Sequence, residues 1–405
     1  MNPPIVIIGA GQAGLQVAES LRAEGWAEDI VLLGDEQHPP YHRPPLSKAY
    51  LLGEASAEQL TMRGPDALAR KNITLRTGIQ IQNIDRLNKT LHFSHGSSLP
   101  YHLLAIATGA RPRQLPLPGG DVQGVHSLRT LDDCLRIGIE LETAERVVVI
   151  GGGFIGLEFA AVARKKGKQV TVIEAGDRLM ARAVSPFISD WYTRLHAGHG
   201  VKLCFNTVIS TVDAKNGHVS SISLTDGTSH AADLVVLGIG VIANDGLAAE
   251  SGLAVDRGVV VDACGRTADP AVFACGDCTA TRQAGQGLRR LESVQNAVEQ
   301  GKAVAAAMLG KEKPFVATPW FWSDQYDAKL QMVGTSSDFD TQVIRGEPDE
   351  GKFSVFYFRL GRLIGIDSIN RPQDHMLGRK LLDRGLSPTQ QQVTDEAFAL
   401  NSLLA

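Results

Sequence analysis

Ile5-Val6-Ile7-Ile8-Gly9-Ala10-Gly11-Gln12-Ala13-Gly14 is the stretch whose reading decides the fold. Four β-branched residues in a row read as a short buried strand, and glycines at 9, 11 and 14 follow without a gap. Leu15, Ala18 and Leu21 then recur at helical spacing, and a second apolar run, Ile30-Val31-Leu32-Leu33, ends at Gly34-Asp35-Glu36. Strand, G-x-G-x-x-G, helix, strand and acid is the order of a dinucleotide-binding βαβ unit. In that reading Gly9 makes the tight turn, Gly11 lets the backbone approach a pyrophosphate, and Gly14 lets the helix pack close to the strand. The helix N-terminus offers bare N–H groups and partial positive charge to the phosphates. Asp35 or Glu36 is expected to take the ribose hydroxyls, with Asp35 carried forward as the candidate.

The pattern returns further along. Arg146-Val147-Val148-Val149-Ile150 runs into Gly151-Gly152-Gly153-Phe154-Ile155-Gly156, a helix is expected near Leu157, and the strand Gln169 to Ile173 ends at Glu174. Two such units suggest two bound dinucleotides; the alternative is one nucleotide and one structural copy. Glu174 would accept both adenosine ribose hydroxyls and repel a 2′-phosphate, so NADH is expected over NADPH, although Arg178 four residues on could soften the preference. Gly151, Gly153, Phe154, Ile155 and Gly156 complete the expected nucleotide contacts of this unit.

The totals agree. At 405 residues the chain is expected to hold two or three domains. It is 43% hydrophobic and 21% charged, with a net charge of −4, which gives no reason to expect nucleic acid. Apolar runs fall far short of the roughly 20 residues that span a bilayer, so no membrane segment is expected. Five cysteines at 134, 204, 264, 275 and 278 follow no disulfide framework. With no leader-like start, they point to the reducing cytoplasm.

Further landmarks carry a resemblance. They are Tyr41-His42-Arg43-Pro44-Pro45-Leu46-Ser47-Lys48, Ala107-Thr108-Gly109-Ala110-Arg111-Pro112, Leu237-Gly238-Ile239-Gly240, Gly276-Asp277, Arg290 to Ala297 and Pro319-Trp320-Phe321-Trp322-Ser323-Asp324-Gln325. With the two glycine turns, they make the chain similar, over nearly its whole length, to the FAD-dependent pyridine nucleotide-disulfide reductase superfamily. Within it, the chain resembles the NADH:ferredoxin reductases of bacterial Rieske dioxygenase and cytochrome P450 systems. The resemblance implies an α/β fold: two Rossmann-like dinucleotide-binding domains plus a smaller α+β C-terminal domain. It implies an FAD-binding domain split over residues 1–109 and 240–316, an NADH-binding domain at 110–239, and a C-terminal domain at 317–405.

It also implies roles. FAD is expected on Gly9, Gly11, Gly14, Asp35, Arg43, Pro45, Lys48, Ala107, Thr108, Gly109, Arg111, Asp277, Val294 and Trp320. NADH is expected on the second glycine turn, Glu158, Glu174 and Gly240. Lys48 and Glu158 form the expected catalytic pair, the ammonium beside flavin N5 and the carboxylate holding it. Arg43 would meet the FAD phosphates and Pro45 would pack on the flavin. A helix that begins with Ala297 and its predecessors and runs through Val304 and Met308 would aim its positive end at the flavin N1 and O2 edge, with Val294 supplying a backbone N–H there. Trp320 and Trp322 share a face on a strand; Trp320 is the one named for flavin packing.

Val272 to Thr279 contains Cys275-Gly276-Asp277-Cys278. In the superfamily an Asp after this Gly accepts hydrogen bonds from the ribityl chain, so Asp277 reads as functional and the cysteines as small neighbours. A redox dithiol is the rival reading. A zinc site would need a second ligand pair, so no metal is expected.

The implied reaction takes hydride from NADH onto FAD N5 and passes electrons singly to a [2Fe–2S] ferredoxin serving an oxygenase. Acidic ferredoxins would need a basic patch, with Arg289, Arg290, Arg371, Arg379, Lys380 and Arg384 as candidates. A monomer is expected. An NADH oxidase or disulfide reductase, and a nucleotide-sensing flavoprotein resembling apoptosis-inducing factor, stay open beside it.

Overall fold

The computed structural model describes residues 3–283, 287–316 and 318–404. Met1 and Asn2, part of the expected FAD segment at 284–286, residue 317 where the third expected domain begins, and Ala405 lie outside them. The chain divides into two compact units, one of Met1–His42, Ala57–Arg111 and Val241–Ala317, the other of Arg43–Ser56, Pro112–Gly240 and Thr318–Ala405.

The first unit is built on a five-stranded parallel sheet. Its order is Val272–Ala274, Leu104–Ile106, Ile5–Ile8, Ile30–Leu33, Ile73–Arg76. Alternation sends Ile5, Ile7, Ile30, Leu32, Ala105 and Phe273 to one face, where they meet Leu15, Ala18, Leu21 and Val304. Val6, Ile8, Val31, Leu33, Leu104 and Ile106 go to the other face and meet Ile84, Leu91 and Phe93. Both faces are therefore covered, which is why these strands read as unbroken apolar runs rather than alternating ones. The helices Gln12–Ala23 and Val294–Met308 pack so closely that a Cβ on Gly301 would lie 2.9 Å from the Gln16 Cβ. The late strand Val272–Ala274 pairs with Leu104–Ile106, so the chain returns to the sheet it began.

The second unit repeats the plan with a parallel sheet in the order Lys202–Cys204, Gln169–Ile173, Arg146–Ile150, Leu234–Leu237, Val125–Ser127. The same unit holds an antiparallel five-stranded sheet in the order Trp320–Gln325, Ala328–Gly334, Arg362–Ile369, Lys352–Arg359, Thr341–Glu347. The helix Pro372–Asp383 lies on it, with Gly378 so near that a Cβ there would meet Ile366 Cδ1 at 2.7 Å. Buried Arg345 anchors the tail, its guanidinium donating to the carbonyls of Val393, Asp395, Glu396 and Phe398. The fold is α/β, with two Rossmann-like domains and a smaller α+β C-terminal domain. Among the described residues, no helix is long and apolar enough to cross a membrane.

Candidate functional site

The two glycine turns are near copies. Gly9 has φ +107°, and a Cβ there would lie 2.1 Å from the Ala107 carbonyl oxygen; Gly151 has φ +102° and would meet the Gly238 oxygen at 2.5 Å. The third glycines, Gly14 and Gly156, would strike the oxygens of Gly9 and Gly151 at 1.9 and 2.3 Å. These four are glycine because the backbone itself fills the space. The middle glycines differ. Nothing lies within 4 Å of a Cβ on Gly11, and only the Gly238 oxygen, at 3.8 Å, near one on Gly153. Each middle glycine is the N-cap of its helix, Gln12–Ala23 or Phe154–Lys165, and neither makes a side-chain capping bond. Elsewhere Thr130, Ser185 and Ser293 cap helices with their hydroxyls. Two helix starts with open space and no side-chain acceptor at the N-cap leave their N–H groups for phosphate oxygens. The residues fit a dinucleotide in both units.

Glu174 stands beside the second turn. Its carboxylate accepts the N–H of Gly152 at 2.6 Å and of Gly176 at 2.7 Å, which fixes it while leaving lone pairs for a diol. In the first unit Gly34 occupies the corresponding place just after the strand, and a Cβ on it would crowd Ala10 at 3.0 Å. The acids come later: exposed Asp35 accepts the Glu36 N–H at 3.1 Å, and Glu36 accepts from the Tyr41 hydroxyl at 2.6 Å. Both alternatives for the ribose therefore stay in place. Phe154 packs against Phe321 with ring centroids 4.9 Å apart and ring planes tilted by 42°, and Ile155 is partly exposed. Gly240 has φ +95°, with Arg113 and Arg182 nearest to it.

In the first unit, Thr108 Oγ1 donates to the Asn244 carbonyl at 2.6 Å, the Asn244 amide donates back to the Thr108 carbonyl at 2.9 Å, and the Asn244 N–H donates to Gly109 O at 2.9 Å. Arg111 donates to Asn244 Oδ1 and the Ala243 carbonyl. Asn244 thus ties residues 108–111 to the returning chain, and the sequence reading missed it. Cys275 and Cys278 are fully buried free thiols. Burial pushes both thiols up, away from the reactive thiolate form. Between them, the Gly276 N–H donates to Gln300 Oε1 at 2.8 Å, and the Asp277 carbonyl accepts from Arg290 at 3.4 Å. Gln300 also receives Thr279 Oγ1 and Asn296 Nδ2, and it too was missed. The helix Val294–Met308 starts at the expected place, with Ser293 Oγ taking the Asn296 N–H at 3.1 Å. Among the described residues, no cluster of His, Cys, Asp and Glu could hold a metal ion.

In the second unit, a single 3-10 turn, Pro44–Ser47, places the charged groups; its first-position proline suits a helix start. Arg43 donates to the Arg129 carbonyl at 2.9 Å, and the Cys134 thiol reaches the Leu46 carbonyl at 3.2 Å, so the turn is held by the segment around the helix Leu131–Thr143. Lys48 Nζ then sits 2.8 Å from Glu158 Oε2. The Ser47 hydroxyl donates to the same oxygen at 2.6 Å, and the Ser323 hydroxyl donates to Oε1 at 2.6 Å. Glu158 is only 4% exposed. Burial pushes its carboxyl up, and the Lys48 ammonium with the two hydroxyls pulls it back toward the charged form. Pro45 lies in the same turn. Trp320 is half-buried against the C-terminal core, 5.6 Å from Trp322 by ring centroid, with Arg379 5.0 Å over its ring.

The model of the pyridine nucleotide-disulphide oxidoreductase family matches residues 3–301, and that of the reductase C-terminal domain matches residues 320–404. The chain belongs to the pyridine nucleotide-disulphide oxidoreductase family. Rhodocoxin reductase from Rhodococcus erythropolis is 45% identical over 99% of this chain and 94% of its own length. The ferredoxin reductase of the CYP199A2 system from Rhodopseudomonas palustris superposes with a TM-score of 0.97 at 43% identity, covering 100% of both chains. The reductase in a covalent putidaredoxin reductase–putidaredoxin complex superposes at 0.95 with 40% identity, covering 100% of this chain and 98% of its own. Like other pyridine nucleotide-disulphide oxidoreductases, the protein is an FAD-dependent oxidoreductase that uses a nicotinamide dinucleotide.

The expected basic patch divides by circumstance. Arg290 pairs with Glu292 at 2.6 Å, and Arg371 with Asp374 at 2.7 Å and Glu396 at 3.3 Å. Arg379, Lys380 and Arg384 are exposed along or just after the helix Pro372–Asp383. Arg289 is half-buried.

Proposed function

We propose that the protein is an NADH:ferredoxin reductase that passes electrons singly to a [2Fe–2S] ferredoxin serving an oxygenase. The Lys48–Glu158 pair carries the reading. The turn at 41–48 presents an ammonium and no thiol, and the thiols of Cys275 and Cys278 in the other unit are sealed and kept protonated. Such a site handles charge rather than disulfide exchange. Bound FAD supplies the exchange between a two-electron donor and a one-electron acceptor.

FAD is assigned to a domain of residues 1–109 and 240–316, with contacts from Gly9, Gly11, Gly14, Asp35, Ala107, Thr108, Gly109, Arg111, Asp277 and Val294. Arg43, Pro45, Lys48 and Trp320 complete the set. NADH is assigned to residues 110–239 through Gly151, Gly153, Phe154, Ile155, Gly156, Glu158, Glu174 and Gly240, and residues 317–405 form the C-terminal domain. Glu158 holds the Lys48 ammonium in place, so that its charge meets the negative charge that builds on reduction. Glu174, fixed by two N–H groups, takes the ribose diol and repels a 2′-phosphate. The Arg178 guanidinium donates to the Ala181 and Val184 carbonyls, which supports NADH over NADPH. Arg379, Lys380 and Arg384 offer a basic face to an acidic ferredoxin. The protein works as a monomer in the cytoplasm, in keeping with its five free thiols.

Steady-state reduction of a [2Fe–2S] ferredoxin tests this. We expect kcat/KM with NADH to exceed that with NADPH by roughly 100-fold, Glu174→Ala to narrow the ratio, and the rate to fall steeply with salt. Equal use of both nucleotides would overturn the assignment of Glu174, and absence of ferredoxin reduction would overturn the reading itself.

A further inference from the structure

We propose that Ser323, Gln325 and His196 are positioning residues for Glu158, forming a buried one-way hydrogen-bond chain that holds the carboxylate charged and aimed at Lys48. The proposal rests on the role given above to Lys48 and Glu158.

The direction of the chain follows from counting protons. The Ser323 hydroxyl has one proton and donates it to Glu158 Oε1 at 2.6 Å. Its oxygen can then only accept, and Gln325 Nε2 donates to it at 3.1 Å. Flipping the Gln325 amide would set two oxygens face to face with no proton between them, so the network fixes the amide. Gln325 Oε1 must therefore accept from His196 Nε2, 2.8 Å away. That puts the imidazole proton on Nε2 and leaves Nδ1 to accept from the Tyr326 hydroxyl at 3.4 Å. Every donor, from Tyr326 through His196, Gln325 and Ser323, points toward Glu158.

Ser323, Gln325 and His196 are all 0% exposed. Polar side chains so placed cost free energy unless each is satisfied, and an apolar core would serve packing as well. The chain leads outward to half-buried Tyr326, which stacks on exposed His199 at 3.7 Å between centroids. Glu158 is also faced by Lys48 and Ser47 from the 44–48 turn and by the buried Tyr192 hydroxyl from the helix Pro186–Gly198. His196 is faced by Gln325, Tyr326 and, from its own helix, His199. Burial holds the His196 imidazole down to about 4, so it stays neutral and keeps its tautomer. A central amide passes no proton in its ordinary tautomer, so the chain orients and polarises; it does not conduct.

Three readouts on the FAD-loaded protein test this, two of them independent of turnover. Nitrogen-15 NMR of His196 should show a neutral Nε2–H ring down to about pH 5. A ring protonated on Nδ1, or titrating near its ordinary value, would overturn the proposal without any variant. Isotope-edited infrared spectroscopy of the glutamate carboxyls should place the Glu158 titration about one unit higher in Ser323→Ala. The acid limb of the pH profile for NADH reduction should move with it. Ser323→Thr should restore both, and Gln325→Leu and His196→Phe should give smaller shifts in the same direction. An unmoved Glu158 titration in a folded Ser323→Ala protein would overturn the proposal. If the titration moves but Glu158→Gln reduces FAD as fast as wild type, the chain stands and the catalytic reading of the pair falls.

Discussion

Glu158 and Asp367 lie in the same unit and are almost equally sealed, at 4% and 2% exposure, yet their surroundings are opposite in kind. Glu158 receives an ammonium and two hydroxyls. Asp367 meets the Tyr357 hydroxyl at 2.7 Å, which in turn lies 2.9 Å from Ser185 Oγ, and no ion pair reaches it among the described residues. Burial pushes both carboxyls up. It takes Asp367 to about 7, whereas Lys48 works against it at Glu158. Burial with a single hydroxyl donor thus brings Asp367 to about half protonation at neutral pH, whereas the ammonium and two hydroxyls at Glu158 work toward the charged form. One acid is organised for charge and the other for packing.

Removing the cation breaks the contrast most severely. Lys48→Met leaves Glu158 buried and uncompensated, and we expect a loss of about 3–5 kcal/mol in urea unfolding at neutral pH. Reduction by NADH should slow roughly 100-fold in stopped flow. The missing stability should return in acid as Glu158 takes a proton. Unchanged stability at alkaline pH would mean that the pair contributes nothing.

Asp367 sharpens the contrast from the other side. Its folded value is raised from 3.8 to about 7, so its contribution is full below the unfolded value and is lost as pH rises through the folded one. Asp367→Asn should abolish that loss and stabilise the protein above neutrality by up to about 4 kcal/mol. Thermal unfolding across pH reads it directly. Equal pH dependence in variant and wild type would show that Asp367 stays charged.

The smallest effect is expected from Tyr357→Phe. It deprives Asp367 of its 2.7 Å donor, at about 1–3 kcal/mol, and the effect should shrink when Asp367→Asn is already present. Additive losses in the double variant would mean that the two groups do not interact.

Much of this was legible in the sequence, for physical reasons that differ by region. A glycine turn between two buried strands imposes a steric requirement so narrow that Gly9, Gly14, Gly151 and Gly156 declare the two sheets by themselves. Glu174 was equally plain, because it follows its strand without a spacer. Asp35 and Glu36 stay ambiguous because Gly34 stands in the place that Glu174 takes in the other turn. Ser323 and Gln325 were missed although a signal existed. Trp320 and Trp322 drew attention to one face of the strand, while Phe321, Ser323 and Gln325 alternate onto the other, and small polar residues in a buried phase need a polar partner. Asn296 and Gln300 gave a similar hint, two amides four residues apart on a buried helix face. Which arginines are free of ion pairs was not readable from charge alone, since Arg371 and Asp374 meet only once the helix has formed.

The most direct test of the central claim is anaerobic stopped-flow reduction of the FAD-loaded protein by NADH, followed by mixing with an oxidised [2Fe–2S] ferredoxin. The account predicts rapid bleaching of the flavin absorbance, then electron passage to the ferredoxin, in wild type and in Cys275→Ser and Cys278→Ser alike. Transfer only to a disulfide acceptor, lost when either cysteine is replaced, would contradict it and make the buried thiols the working groups.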